Sequence, residues 1–246
     1  QTSPRRIAIL MILIVAGLFI IANQNALRQQ LIPPPTPTAT RTARSYVAEA
    51  QSLAEAGKID EAIGSYIQAT ALDSANIEVL IDLSRLLNLV QRTDDAVQWA
   101  LRAVQLAPQS ARAKAALAMA LDWNAASLEG RGRATDARPE YQQAIDAAQA
   151  AISIDANYPE AYAYLAETYA DLNRWADAIE AAQKAVDLNP NRVDVQRALG
   201  YVRESQGNYS GAAQAYEQAL QFAPNLPYLY IALGRNYRVI SSVSDA

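Results

Sequence analysis

The sequence of 246 residues contains no cysteine and no histidine. Without cysteine, the chain forms no disulfide bond and offers no thiolate to a metal or a substrate. Without histidine, it lacks imidazole metal ligands and the general base of Ser-His-Asp and Cys-His nucleophilic sites. These absences remove most common schemes of enzymatic catalysis and leave carboxylates, lysines and tyrosines as the candidate catalytic groups.

Glycine and aromatic residues are also scarce, with 9 glycines in the chain and Phe, Trp and Tyr making up 7% of it. Alanine is abundant instead, and alternation of β-branched with polar residues is hard to find. Because alanine is the residue that costs least in a helix, the composition predicts an all-α protein. The length is enough for one or two domains with a sizeable core.

Acidic residues are missing from the first part of the chain. Residues 1–48 contain five arginines and no Asp or Glu, so their formal charge is +5. The whole chain has a net charge of -4, and the remaining residues therefore carry -9. An acidic body argues against nucleic acid as a partner, because phosphate binding requires a basic face on the folded domain. The basic head is compatible with lipid phosphates.

One uncharged apolar run, IAILMILIVAGLFIIA, occupies residues 7–22. Sixteen residues of helix span about 24 Å, and an extension to residue 27 brings the length close to the ~30 Å of the hydrocarbon core. We predict a short basic flank at residues 1–6 and a single transmembrane anchor helix at residues 7–27. A cleaved signal peptide is the alternative, although no convincing small-x-small cleavage motif follows the run.

Arginines bias the predicted orientation of the anchor. Arg5 and Arg6 lie directly before the apolar run, and Arg28 follows it. The positive-inside rule then places the N-terminus in the cytoplasm and the following body on the extracytoplasmic side.

A linker rich in proline and threonine is predicted at residues 28–42, within which LIPPPTPTATRTAR begins at Leu31. Proline-rich chain extends at about 3.1 Å per residue, so residues 31–42 reach up to roughly 37 Å. We interpret the segment as a stalk between the membrane helix and the body.

The body repeats itself at a fixed interval. Segments such as GKIDEAIGSYIQATALDSAN and NRWADAIEAAQKAVDLNPNR begin at Gly57, Gln91, Asn173 and Gly207, with the members of each pair 34 residues apart, and a fifth copy ends just before Pro159. Two columns of the repeat are alanine, and seven residues separate them. The columns are Ala62, Ala96, Ala144, Ala178, Ala212 and Ala246, and Ala69, Ala103, Ala151, Ala185 and Ala219.

This pattern resembles the tetratricopeptide repeat family, whose unit is a 34-residue helical hairpin. The resemblance covers everything after the linker and implies an α-solenoid at residues 43–246, with protein–protein interaction as its function. The predicted repeats are 43–76, 77–110, 111–158, 159–192, 193–226 and a partial sixth at 227–246. Because the sixth copy stops at the alanine that opens its second helix, we expect the native chain to continue past Ala246 or a partner to cover that face.

The third repeat carries fourteen extra residues at 125–138, AASLEGRGRATDAR. One interpretation is a longer hairpin loop with a solvated tip, and the second helix is then expected to resume near Pro139. The other is a docking insertion for a partner through Arg131, Arg133 and Arg138, because long loops in compact arrays are uncommon and often functional.

No pattern of enzymatic chemistry is present. Paired carboxylates such as Asp94 and Asp95 fall in the first turn of a predicted helix, where they complement the helix dipole. GRGR at residues 130–133 lacks the lysine and the spacing of a phosphate-binding loop. We therefore predict that the chain is not an enzyme and has no catalytic, cofactor or metal site.

The inner face of the predicted solenoid is the candidate binding surface. Its C-terminal part is rich in Arg and Tyr, which are favoured at binding hot spots. The candidate partner-binding groove consists of Arg197, Tyr201, Tyr228, Arg235 and Arg238. The lysines and asparagines with which one variant of the family clamps a C-terminal carboxylate are absent, so that activity is not implied.

These features together predict a membrane-anchored interaction scaffold, a non-catalytic subunit that holds or organises a larger membrane-associated complex. Its partners are other protein subunits or client peptides and, through residues 7–27, the lipid bilayer. The alternative is an assembly factor that binds client proteins transiently, for example in secretion, pilus or cytochrome maturation.

Overall fold

The computed structural model describes residues 3–24 and 41–244, and all regular elements in these ranges are α-helices. The chain divides at residue 41 into two compact units, the first containing α1 and the second the remaining helices. In chain order the twelve described helices are α1 (Pro4–Ala22), α2 (Ala43–Glu55), α3 (Ile59–Leu72), α4 (Ile77–Leu89), α5 (Thr93–Leu106), α6 (Ala111–Gly130), α7 (Ala134–Ile154), α8 (Pro159–Asp171), α9 (Trp175–Leu188), α10 (Val193–Ser205), α11 (Tyr209–Phe222) and α12 (Pro227–Ser244).

Helix α1 has the length and composition of a membrane span. It has 19 residues and a mean hydropathy of 2.4, and it is the one described helix that meets both conditions. Pro4 begins the helix, where its missing N–H and fixed φ are tolerated. The large apolar side chains are exposed, among them Ile12 at 68% and Leu13 at 66%. The predicted linker at residues 28–42 lies almost wholly outside the described residues.

Helices α2 to α11 form five consecutive hairpins, and α12 is the first helix of the sixth repeat. Each hairpin turn contains one residue with a left-handed backbone, φ between 58° and 78°, and the amide that follows it bonds to a carbonyl of the preceding helix five residues back. This Schellman arrangement satisfies backbone groups that the helix end leaves open. The left-handed residues are Gly57, Gln91, Gly132, Asn173 and Gly207.

The two alanine columns form the contact surface within and between the hairpins. Their described members are at most 1% exposed, so each column places a small side chain in the packed interior of every hairpin. Gly200 shows how tight this packing is, since a Cβ at this position would lie 2.8 Å from the ring of Tyr216. The solenoid expected from the repeat is confirmed, while Ala246 of the first column lies outside the described residues.

The expectation of a loop at residues 125–138 is wrong. Helix α6 continues to Gly130, and α7 begins at Ala134 and runs through Pro139. The alanine-rich sequence favours helix, and the lengthened pair buries its own apolar cluster, so the extra residues extend the hairpin instead of interrupting it. The cluster consists of Ala125, Leu128, Ala137 and Tyr141.

The solenoid turns tightly enough for distant repeats to meet across its inner face. Arg85 of the second repeat pairs with Asp194 of the fifth. The rings of Trp123 in the third repeat and Tyr228 in the sixth lie 5.4 Å apart. The side-chain amide of Asn225, before α12, donates a 2.9 Å hydrogen bond to the carbonyl of Glu55 in the first repeat. The inner face therefore closes on itself.

A substitution at Gly57 tests this contact between the first and fifth repeats, because a Cβ at this position would overlap the backbone carbonyl of Asn225. We expect Gly57→Ala to destabilise the array by more than the roughly 1–2 kcal/mol that a left-handed alanine costs by itself. Gly207→Ala is the matched control, with a φ of 78° against 77° and, in the described part of the chain, no atom within 4 Å of the added Cβ. Urea unfolding of both variants measures the difference, and equal losses would mean that the closure contributes nothing.

Candidate functional site

The inner face is built from the first helices of successive repeats, of which α4, α6, α8 and α10 pack in sequence. Helical spacing of four residues places side chains of one helix on the same face. On α8 this spacing brings Glu167 and Asp171 to the inner face, and on α10 it brings Arg197 and Tyr201. Asp122 joins them from α6.

Arg197 lies at the centre of a buried ion network, hereafter the Arg197 network, with Glu167, Asp194 and Arg85. Its Nη1 lies 2.6 Å from Glu167 Oε1, and its Nε lies 3.7 Å from Asp194 Oδ1. The contact between Arg197 and Glu167 is a close charge pair. Its geometry is not that of a hydrogen bond, and Glu167 Oε1 has no hydrogen-bond partner among the described residues. Arg85 pairs with Asp194 from the other side. Four charges thus connect the second, fourth and fifth repeats.

Burial and charge act on the acids of the Arg197 network in opposite ways. Burial alone would raise the pKa of Asp194, yet Arg85, Arg197 and Arg192 together hold that pKa below its ordinary value. Glu167 has one cation, and burial outweighs Arg197 to raise its pKa to about 7. The Arg197 network therefore stabilises the ionised form of Asp194 fully, whereas it offsets the burial of ionised Glu167 only in part.

Two further carboxyls on the same face have raised pKa values. Burial, followed by the charges of Asp171 and Glu167, raises the pKa of Asp122 well above its usual range. Burial also raises the pKa of Asp171, against the hydrogen bond that it accepts from the Tyr201 hydroxyl. The hydrogen bond from the Thr168 hydroxyl and the charge of Arg197 lower the pKa of Asp122, but they offset the effect of burial only in part.

Aromatic rings surround Arg197 on this face. The guanidinium carbon of Arg197 lies 5.2 Å from the centre of the Trp123 ring and 5.9 Å from that of Tyr164. Tyr228 packs on Trp123 with a 39° angle between the rings. These contacts place a cation over aromatic faces in a desolvated setting, where such interactions are strongest.

Two of the cavities in the described part of the array border the inner face. One of about 520 Å³ lies where the first, second and fifth repeats meet, and Tyr66, Arg85 and Asp194 are among its lining residues. The other, of about 400 Å³, is hereafter the acidic cavity, because Asp122, Glu167 and Asp171 line it together with Trp123, Arg197, Tyr201 and Tyr228.

The structure brings together three of the five predicted groove residues. Arg197, Tyr201 and Tyr228 all line the acidic cavity. Arg197 is 2% exposed, however, so it is an internal charge and not the accessible contact that the sequence suggested. Arg235 pairs with Glu204 away from the acidic cavity, and Arg238 is exposed on α12.

The three arginines of the predicted docking insertion lie on a helical hairpin. Arg131 caps α6 and lies 3.7 Å from Asp94, whereas Arg133 pairs with Asp136 one turn into α7. Arg138 is exposed within α7. Their role as a partner surface stays a prediction.

Sequence reasoning missed the acidic side of the inner face. The repeat register placed Glu167 and Arg197 in two neighbouring inner columns of adjacent repeats, with Tyr201 and Ala163 as their respective equivalents, and the opposite charges were the available signal for a pair. Asp122 and Asp171 gave no such signal, because their burial depends on how tightly the solenoid turns. In the described ranges, groups of three or more Asp or Glu side chains arranged for a metal ion are absent.

Comparison with known proteins agrees with this architecture. A sequence model described as tetratricopeptide repeat matches residues 47–111 and 164–227, just over half of the chain. A thermophilic tetratricopeptide repeat protein of Thermus thermophilus has the same fold, with 19% identity, a TM-score of 0.65, and coverage of 80% of this chain and 99% of that one.

Two solved structures of MamA are also similar to this chain. One is 26% identical with a TM-score of 0.45 and covers 73% of this chain and 91% of its own. MamA from Desulfovibrio magneticus RS-1 is 19% identical with a TM-score of 0.47, and the match covers 75% of this chain and 97% of that one. No curated protein sequence matches the chain.

The raised carboxyl pKa values predict a pH-dependent stability. Unfolded carboxyls ionise near pH 4, while the folded state retains protons on Asp122, Glu167 and Asp171 to higher pH, so stability falls as pH rises between these values. Asp194 acts in the opposite sense, and its stabilising effect is lost only below about pH 4. We expect the melting temperature to fall from pH 5 to pH 8.

Asp122→Asn should lessen this fall and stabilise the array at pH 8, because the neutral amide requires neither a buried charge nor a retained proton. Circular dichroism melts at both pH values measure it. Asp146→Asn, which changes an exposed carboxylate on α7, serves as the control. The interpretation fails if both variants lose as much stability as the unsubstituted protein between pH 5 and pH 8.

Arg197→Met should destabilise the array by about 3–5 kcal/mol, because it leaves Glu167 and Asp194 with less compensation in a buried site. Arg235→Met is the matched variant. The Arg235 side chain is 45% exposed, and Glu204 keeps the hydrogen bonds that Tyr216 and Asn236 donate to it, so we expect a loss of about 1 kcal/mol. Urea denaturation measures both losses. Similar losses would contradict the central role given to Arg197.

Proposed function

Since this chain belongs to the tetratricopeptide repeat family, whose arrays mediate protein–protein interaction, we propose that it is a membrane-anchored interaction scaffold. In this function α1 sits in the bilayer, and the array of α2 to α12 holds one or more other proteins near the membrane surface. It acts as a non-catalytic subunit of a membrane-associated complex.

The observation that carries this proposal is the exposed apolar surface of α1. Nineteen helical residues extend about 28 Å, close to the ~30 Å of a hydrocarbon core. Its side chains from Ile7 to Ile21 include many that are more than half exposed. Apolar surface of this extent is stable when lipid covers it.

The array supplies the interaction surface. Because the Arg197 network and the closure of the first repeat on Asn225 occupy much of the inner face, we assign partner contact to what stays accessible. On α12, Tyr230, Ile231 and Tyr237 are 54%, 68% and 48% exposed, and Arg235 and Arg238 are exposed beside them. Tyrosine and arginine are enriched at binding hot spots.

We further propose that the array lies on the extracytoplasmic side of the membrane. Arg5 and Arg6 at the start of α1 support this orientation by the positive-inside rule. Protease added to right-side-out vesicles of the native membrane should then digest the array, and protection of the array in these vesicles would contradict the orientation.

The test is to purify the full chain from its native membrane in mild detergent with whatever proteins accompany it. A scaffold subunit should bring the same partners in a fixed molar ratio, and it should resist extraction of the membrane by alkaline carbonate. Leu13→Lys with Ile14→Lys should release the chain and abolish recovery of the partners with membranes, because each lysine costs about 2.5–3.5 kcal/mol at the centre of a span.

Ser3→Lys is the control, since a lysine at the end of α1 reaches the interface at little cost. Recovery of partners in small and variable amounts would favour the transient assembly factor. A soluble native protein that lacks the apolar segment would identify the segment as a signal sequence and overturn the anchor.

A further inference from the structure

Helix α12 exposes a face that is covered in the preceding repeats. Gly234 is exposed, whereas the residues at the same position in the first helices of repeats one to five are buried. These residues are Ala50, Ser84, Ala118, Ala166 and Gly200. Ile231 shows the same contrast, since it is 68% exposed and its equivalents in repeats two to five are at most 3% exposed. Those equivalents are Ile81, Ala115, Ala163 and Arg197. Because three residues separate the two positions, they share one side of α12.

The second helix of the hairpin covers the position of Gly234 in the second and fifth repeats. The ring of Tyr216 on α11 packs so closely on Gly200 that a Cβ there would lie 2.8 Å from it. The Ser84 hydroxyl donates a 2.8 Å hydrogen bond to the carbonyl of Ala96 on α5. An added Cβ on Gly234, by contrast, would meet no atom of another element within 4 Å in the described part of the chain. The shape that fits there is an antiparallel helix with a large side chain over the glycine.

Charge specifies the chemistry of such a helix further. Arg238 is exposed one turn beyond the glycine, and its equivalent in the fifth repeat is Glu204. Glu204 accepts a hydrogen bond from the Tyr216 hydroxyl of the covering helix, so the sign of the charge at this position is reversed on α12. Helix α12 contains two arginines and no acidic residue, and Arg235 is already paired with Glu204. An acidic side chain on the covering helix complements Arg238, whereas a second copy of α12 would place arginine against arginine.

We propose that the face of α12 formed by Ile231, Gly234 and Arg238, hereafter the α12 face, binds an amphipathic helix of a partner protein. The bound helix runs antiparallel to α12, places a large apolar or aromatic side chain over Gly234 and presents an acidic residue to Arg238. It has the position relative to α12 that α11 has relative to α10. This inference rests on the proposed function, because it specifies the kind of partner that the array holds.

The spacing on the α12 face matches this mode of binding. Residues separated by three and seven positions are the usual anchors where one helix packs on another protein. Ile231 supplies apolar contact, Gly234 lets the backbones approach closely, and Arg238 supplies a charge at the end of the face. Burial of apolar surface stabilises the complex, while the ion pair fixes the register and direction of the bound helix.

Photo-cross-linking identifies what covers the α12 face in the native membrane. The full chain carries p-benzoylphenylalanine in place of Ser242, an exposed residue one turn beyond Arg238. The adduct should join the chain to a different protein, through a segment with an amphipathic helical pattern and an acidic residue. An adduct to a second copy, adducts only within the chain itself, or no adduct at all would overturn the proposal.

The cross-linked segment is then made as a synthetic peptide and titrated into the full chain in a non-ionic detergent. It should bind at one site per chain, and Gly234→Leu should weaken binding at least about tenfold, because leucine fills the space over the helix. Gly64→Leu is the matched control, since Gly64 is an exposed helical glycine with equal space around it. Leucine favours helix more than glycine does, so neither variant should unfold the array. Equal affinity of the two variants contradicts the proposal.

A charge exchange tests the acidic residue of the bound helix. Arg238→Glu should weaken peptide binding about tenfold, because it brings like charges together. Replacing the acidic residue of the peptide by lysine should restore its binding to the Arg238→Glu chain. Equal affinity of the original peptide for the unsubstituted and Arg238→Glu chains shows that the proposed chemistry is wrong.

Failure of this inference is distinguishable from failure of the scaffold function. A chain that brings no partner in a fixed molar ratio from its native membrane overturns the scaffold. If the same partners accompany Gly234→Leu and Gly64→Leu in equal amounts, the scaffold function holds and the α12 face is not its contact.

Discussion

The charge of Arg197 is the constraint on which the inner face of the array depends. A buried guanidinium is stable only where carboxylates surround it, and here the fourth and fifth repeats supply Glu167 and Asp194. Asp194 in turn holds Arg85 of the second repeat, so one buried cation links repeats that are distant in sequence. Removing one partner of such a network leaves an uncompensated buried charge, which costs more than the intact network contributes to stability.

The alanine columns make this meeting of distant repeats possible. Small side chains at every helix contact let the hairpins pack closely, and the solenoid turns until the third repeat reaches the sixth through Trp123 and Tyr228. The same curvature removes the inner residues from water. Carboxyls that would be ordinary solvent-facing groups in an open groove become buried acids with raised pKa values, as Asp122 and Glu167 show.

A closed inner face changes how this array can act as a scaffold. An open solenoid offers its whole concave surface to a peptide, whereas here most of that surface is occupied by the chain itself. The surfaces that remain include the two cavities and the exposed face of α12, around Ile231 and Tyr237. The apolar and aromatic side chains on α12 are the surface that we propose for partner contact.

The sequence by itself determined the helices, the repeat and the apolar segment, because each of these depends on local propensity and on periodic spacing. It was wrong at residues 125–138, where glycine and arginine suggested a loop but the flanking alanines extend both helices. Only the tertiary structure decided that Arg197 and Asp122 are buried. Those properties depend on the curvature of the whole array, which accumulates from small rotations between repeats and is not encoded in any single one.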